Sequence, residues 1–214
     1  MPAATKNILT KPTSQSNLAG MQKQTAREKV VTAAQQLMVG QGYTATTVDE
    51  IVNAAGVAKG SFYHAFKSKE DLALAALDDY FRRGMAIIGN GPYLDEKDPV
   101  KKVFAFLDYV DEKSQALWEH GCLLGSMSIE LADTYPNLID KIDQLFSEME
   151  GQIRVIIGPA LRVKGIKKPG SLELARHLVT VFEGSIIMSR SHRNPKYLQE
   201  GIGHYRRYFA CLVN

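Results

Sequence analysis

Apolar residues recur every three or four positions along most of this chain, the spacing of helices that bury one face. Val30, Ala33, Ala34, Leu37 and Met38 share one side of a helix predicted over about 25–41, which Gly42 ends. Thr47-Val48-Asp49-Glu50 has the T-x-x-E form of a capping box and starts a second helix at Val48, stopped by Gly56. A short third helix follows over about 58–66. Ser68-Lys69-Glu70-Asp71 repeats the capping pattern and opens a fourth, with Leu72, Ala76, Tyr80 and Met85 on one side. Gly89-Asn90-Gly91-Pro92 is a breaker cluster. Asp98-Pro99 places an N-cap and a proline at the first turn of a fifth helix, whose face is Val100, Val103, Phe104, Leu107 and Val110. Residues 121–133 read as a short sixth helix. Pro136 opens a long seventh, with Leu138, Ile142, Leu145, Met149 and Ile153 aligned and Gly158-Pro159 ending or kinking it. After a basic loop at 165–170, an eighth helix is predicted over 171–191, and Asn194-Pro195 opens a ninth. No alternating strand pattern competes, so the expected fold is all-α, with about nine helices.

The 214 residues suit one or two domains and can bury a proper core. With 45% hydrophobic and 23% charged residues, disorder throughout is excluded. Residues 1–22, rich in Thr, Ser, Asn, Pro and Ala, read as a flexible arm. No run approaches the roughly 20 apolar residues that cross a bilayer, and no segment reads as a signal peptide. Cys122 and Cys211 are far apart and fit a reducing cytoplasm better than a disulfide framework. The net charge of +3 is unevenly placed. Residues 1–70 hold eight Lys/Arg against four Asp/Glu, and the rest of the chain holds 18 against 19. A basic front on a neutral body is the asymmetry of a terminal nucleic-acid module.

That front end also has the right local form. Two helices joined by a short turn containing Gly make a helix-turn-helix, here at 47–66. Val48, Ile51, Val52 and Ala55 supply the buried face of its first helix, Val57 plugs the turn, and Phe62 and Phe66 anchor the second. Lys59, Gly60, Ser61, Tyr63 and His64 are left facing outward, small or hydrogen-bonding residues suited to a major groove. The run from Thr47 through Gly56-Val57, Lys59-Gly60, Phe62-Tyr63, Phe66 and Ser68-Lys69-Glu70 to Leu72 resembles the signature of the tetracycline-repressor (TetR) family over about residues 25–75. Val52 stands where Ala is typical, and Ala58 where Ser or Pro often begins the third helix.

The resemblance implies a DNA-binding domain at 23–70 and a ligand-binding and dimerisation domain at 71–214. It implies that Thr47, Tyr63, His64 and Lys69 hold phosphates while Lys59, Gly60 and Ser61 approach base edges. Lys69 would act with the free N–H groups of its helix end. For Tyr63 the alternative is a core aromatic. The implied partners are double-stranded palindromic DNA, a second copy of the chain and a small-molecule effector of unknown identity.

Leu198, Ile202, Tyr205, Phe209 and Leu212 form a stripe that reads as a dimer surface, with Gly184 and Ser185 permitting close helix approach; the alternative is burial inside one subunit. Tyr80, Met85, Phe104, Leu107, Trp118, Cys122, Met127, Met149 and Phe182 are candidates to line an effector pocket, or are plain core. The segment from Gly121-Cys122-Leu123 to Asp133 resembles a motif of one TetR subgroup, in which some members with Cys there sense electrophiles. A thiol at a helix N-terminus is expected to have a lowered pKa; the alternative is a small buried hydrophobe. No metal or cofactor is expected, since His120-Gly121-Cys122 is too short for a zinc site. Nor is an enzyme, because no nucleophile, base and orienter come together. The expected function is a ligand-released repressor, acting on an apolar or electrophilic effector, and the alternative is a constitutive DNA-bound protein without a ligand.

Overall fold

The computed structural model describes residues 24–118 and 121–214, apart from the side chains of 115–118. The expected arm at 1–22 and the Trp118 side chain lie outside the described residues. Among those described there are nine α-helices and no strand. They are α1 (Ala26–Gln41), α2 (Val48–Ala55), α3 (Lys59–Ala65), α4 (Lys69–Ile88), α5 (Pro99–Trp118), α6 (Leu123–Leu131), α7 (Pro136–Val163), α8 (Ser171–Ser191) and α9 (Lys196–Val213). A 3-10 turn at Pro92–Asp95 sits between α4 and α5.

Local chemistry sets most of the boundaries. Thr25 and Glu28 form a reciprocal capping box at α1, with N···O distances of 3.2 and 2.8 Å. Thr47 and Glu50 repeat it at α2 with the same distances. The Ser68 hydroxyl accepts from the Asp71 N–H at 3.0 Å, and Asp98 Oδ1 accepts from Val100 and Lys101 at 2.8 and 2.9 Å. Each bond satisfies an N–H that a helix start would otherwise leave unpaired. Ala58 offers no side chain for this, and α3 begins without a cap bond.

Of the end or kink expected at Gly158-Pro159, the end does not occur: α7 runs on to Val163. Proline removes one ladder bond, the one Val155 would accept, and Val155 lies on the exposed side. Ile157, Gly158, Ala160 and Leu161 are buried around it, so packing holds the helix through the lost bond.

Packing divides the labour. α1 touches α2, α3, α4 and α6, so the three N-terminal helices form a small head. α4 leads from that head into a body in which α7 packs on α5 and α8, and α9 packs on α5 and α8. Val30, Ala34, Met38, Ile51, Val52, Phe62 and Phe66 close the core of the head.

The stripe expected to form a dimer surface points inward instead. Leu198, Ile202, Tyr205 and Phe209 are at most 5% exposed within a single chain. The Tyr205 hydroxyl donates to the Leu174 carbonyl at 2.9 Å, and the Phe209 ring meets Phe104 edge-on at 5.6 Å. A Cβ at Gly201 would collide with Ser185, so the close approach of small residues joins α9 to α8 of the same chain. Gly184 does face outward, beside the half-exposed Ile187 and Met188.

Candidate nucleic-acid interface and effector cavity

The helix-turn-helix is assembled from the core outward. Ile51 and Val52 seat α2, Gly56 turns the chain in the left-handed region at φ 63°, and the Val57 N–H returns to the Val52 carbonyl at 3.1 Å. Phe62 is wholly buried and Phe66 nearly so, which fixes the rotation of α3. Lys59, Gly60, Tyr63 and His64 are thereby exposed, with Ser61 half-buried. Tyr63 is 57% exposed, so it is not the core aromatic that the sequence left open. Its ring leans edge-on against Phe62 at 5.0 Å. Lys59 pairs with Asp49 at 2.6 Å across the turn; both are exposed, so the pair is easily exchanged for another anion. A Cβ at Gly60 would meet nothing within 4 Å. The fold therefore has no internal need for glycine there, whereas a surface approached closely from outside does. Thr47 caps α2 with the same hydroxyl that was expected to reach a phosphate.

Lys69 is placed differently from the expectation. Its ammonium turns inward and donates to the carbonyls of Thr46 at 2.9 Å, Tyr43 at 3.0 Å and, more weakly, Thr44 at 3.5 Å. It lies 4.3 Å from the centre of the Tyr43 ring. From the other side, the Glu130 carboxylate of α6 accepts from the Tyr43 N–H at 2.8 Å and the Thr44 N–H at 2.7 Å. The turn between α1 and α2 is thus gripped by a cation on its carbonyls and an anion on its N–H groups. Burial pushes the Glu130 carboxyl up, but the hydrogen bonds from Thr44 and Tyr43 and the charge of Lys69 outweigh it and hold it below the usual carboxylate range. Burial holds the Lys69 ammonium below its ordinary value, against the pull of Glu130. Gly42 makes the grip possible: its φ is 90°, and a Cβ there would stand 2.9 Å from Glu130 Oε2.

Where the head meets the body, α1, α4, α7, α8 and the start of α6 line a half-open cavity of about 800 Å³. Of the expected lining residues, Tyr80, Met85, Cys122 and Met149 reach it. Leu107, Met127 and Phe182 are buried core, and Phe104 packs on Phe209 beneath the Arg206 guanidinium. One wall is α1 itself, through Thr32, Gln35, Gln36 and Val39. Gln35 ties that wall to α4, donating to the Ala76 carbonyl at 2.8 Å and to Asp79 at 3.1 Å and accepting from Arg83. Arg190 of α8 donates to the Val39 carbonyl at 3.3 Å.

Two family models divide the chain between them. The model of bacterial regulatory proteins of the tetR family matches residues 30–76, and that of the LmrA/YxaF-like transcriptional regulator C-terminal domain matches 99–202. This chain belongs to the TetR family. Its relatives include an HTH-type transcriptional regulator in the lacX 3′ region of Lactococcus lactis, 26% identical over 76% of this chain and 82% of the relative. The HTH-type transcriptional repressor DhaR of a Mycobacterium species is 25% identical over 84% and 90%. A crystal structure of a TetR regulator from Chloroflexus aurantiacus superposes with a TM-score of 0.77 at 28% identity, over 88% of this chain and 96% of that one.

In this TetR-family chain the thiol expected to be activated is not. Cys122 is the N-cap of α6, but it is only 4% exposed and lies against the half-buried Glu183 carboxyl. Burial, with Glu183 beside it, pushes the thiol far up, outweighing the N–H groups of Gly125 and Leu124 at the helix start. The helix end is correctly read; its effect is overridden by desolvation and a neighbouring acid. At pH 7 a maleimide is therefore expected to label the exposed Cys211 and leave Cys122 at least tenfold slower, as read by mass spectrometry of the folded chain. Equal labelling would show that Cys122 is a reactive thiol after all.

The sequence pointed to neither Glu130 nor Arg190. Glu130 falls in the segment singled out around Cys122 but stands there as one acid among several. Arg190 is one of many surface-type cations. What marks both is a partner remote in sequence.

Proposed function

We propose that this TetR-family regulator is a cytoplasmic homodimeric repressor that reads a palindromic operator with α3 and releases it when a small effector enters the cavity between head and body. The observation that carries this reading is the outer face of α3, where Gly60, Tyr63 and His64 stand exposed and Lys59 is held only by an exposed ion pair with Asp49. In this reading residues 23–70 bind DNA and 71–214 sense and dimerise. Lys59, Gly60 and Ser61 approach base edges, while Thr47, Tyr63, His64 and the N-terminal N–H groups of α4 hold phosphates. The Lys69 ammonium supports the surface from beneath. The outward side of α8 around Gly184, Ile187 and Met188, with Tyr208 of α9, replaces the buried stripe as the dimer face.

Selection from a random DNA library with the purified chain tests this. The expected product is an inverted repeat whose half-sites lie about 10 base pairs apart, or a multiple of that, centre to centre. Tyr63→Ala is expected to weaken binding to that site by about 10–100-fold, the worth of a hydrogen bond to a charged group, while sedimentation still shows a dimer. No enrichment, or loss of the dimer in Tyr63→Ala, would refute it.

A further inference from the structure

The cavity between head and body is two-sided in its chemistry. Phe81, Met85 and Ile88 of α4, Leu124 of α6 and Met149 of α7 give it an apolar wall. Facing that wall are two guanidinium groups, Arg83 and Arg190, among neutral amides of α1. Among the described residues, none of those lining the cavity carries a carboxylate. The two cations are not equivalent. Arg83 is already paired with Asp79 at 2.9 Å and also donates to Gln35. Arg190, whose side chain is exposed, bonds among the described residues only the carbonyl of Val39, a neutral acceptor, and makes no ion pair there. Among the described residues the half-buried Glu183 lies nearby, against Cys122 and Gly125.

We infer that the effector is an amphipathic organic anion, an apolar body carrying one carboxylate or sulfonate, with the charged end on Arg190 and the body against Met85, Leu124 and Met149. This rests on reading the cavity as the effector site and adds the chemical class of what fills it. A planar guanidinium matches an oxyanion in two parallel hydrogen bonds, which the backbone carbonyl of Val39 cannot offer. A cation of the same shape would meet two like charges, and a neutral body would gain only from the apolar wall. The choice of Arg190 has a structural corollary: its present partner belongs to α1, so an anion drawing the guanidinium away removes a tie between α8 and the DNA-binding head.

Two dyes separate charge from apolar burial. They are 8-anilinonaphthalene-1-sulfonate, and N-phenyl-1-naphthylamine, which has the same rings without the sulfonate. Titrated by fluorescence into the full chain without DNA, the sulfonate is expected to bind at least tenfold tighter than the neutral dye, at one per chain. Arg190→Gln is expected to weaken the sulfonate about tenfold and leave the neutral dye within twofold, which also reports that the cavity is intact. Met149→Trp, with helicity checked by circular dichroism, is expected to exclude both. Equal affinities in the unaltered chain, sulfonate binding unmoved by Arg190→Gln, an equal loss of both dyes in that variant, or sulfonate binding that survives Met149→Trp overturns the inference. Operator selection uses no dye and dye binding uses no DNA, so failure of this inference is distinguishable from failure of the repressor reading.

Discussion

Phe62→Ala is expected to cost about 3–5 kcal/mol of stability and abolish operator binding, while the adjacent Tyr63→Ala costs under about 1 kcal/mol. The contrast follows from one turn of helix. Phe62 is wholly buried, with the Phe66 ring at 5.9 Å and Tyr63 at 5.0 Å. Truncating it leaves a cavity at the point where α3 is attached. α3 has seven residues and no side-chain cap, and so short a helix has no stability of its own. Without its anchor the recognition surface loses its shape along with its contacts. Tyr63 lends the fold one exposed edge of a ring pair, and its main expected role lies outside the chain. Urea denaturation followed by circular dichroism, beside fluorescence anisotropy on the selected operator, reads the two quantities separately. Equal destabilisation by the two substitutions would contradict this account.

Glu130→Ala is expected to lower stability by about 2–3 kcal/mol at neutral pH and Tm by about 5–10 °C. This is the loss of two charge-assisted hydrogen bonds to backbone N–H groups, one of them at an exposed residue and so discounted. The Lys69 ammonium, left without its counter-charge over the same turn, adds to the loss. The effect carries a pH signature. The Glu130 carboxyl is held below its ordinary value of 4.5 in the folded chain, so it binds a proton more readily when unfolded. Its contribution is therefore full above about pH 4.5 and fades as the pH falls through the lower folded value. Thermal melts of the two proteins should differ most at neutral pH and converge towards pH 3. A gap that stays constant down to pH 3 would show that the ionised carboxylate is not what grips the turn.

These residues also mark where the chain can be read from its sequence. Helix starts at Thr25, Thr47, Ser68 and Asp98 rest on partners two or three residues away, so the pattern announces them. The exposed face of α3 follows from the spacing of Phe62 and Phe66 for the same reason. Pro159 does not end α7 because a ladder bond is a local quantity, whereas the burial of Ile157 and Ala160 that outweighs it is not. The α9 stripe shows which side is buried but not against what, and it packs against its own chain. The helix start at Cys122 is legible from its neighbours, but the acid that offsets it, Glu183, lies 61 positions further on. Lys69 finds its carbonyls 23 to 26 residues upstream, Glu130 its N–H groups 86 and 87 away, and Arg190 its carbonyl 151 away. No periodicity encodes such distances.

α6 joins the two places where this chain is busiest. Its first turn lines the cavity through Cys122 and Leu124, and its last carries Glu130 into the turn before α2. From Cys122 to Glu130 a helix rises about 12 Å in slightly more than two turns. One residue inserted between them would advance Glu130 by only about 1.5 Å but swing it about 100° around the axis, away from the N–H groups of Tyr43 and Thr44. α6 is in this sense a gauge with a pitch. Glu130 apart, its outward side chains matter less than their number, since any change in that number puts its two ends out of phase.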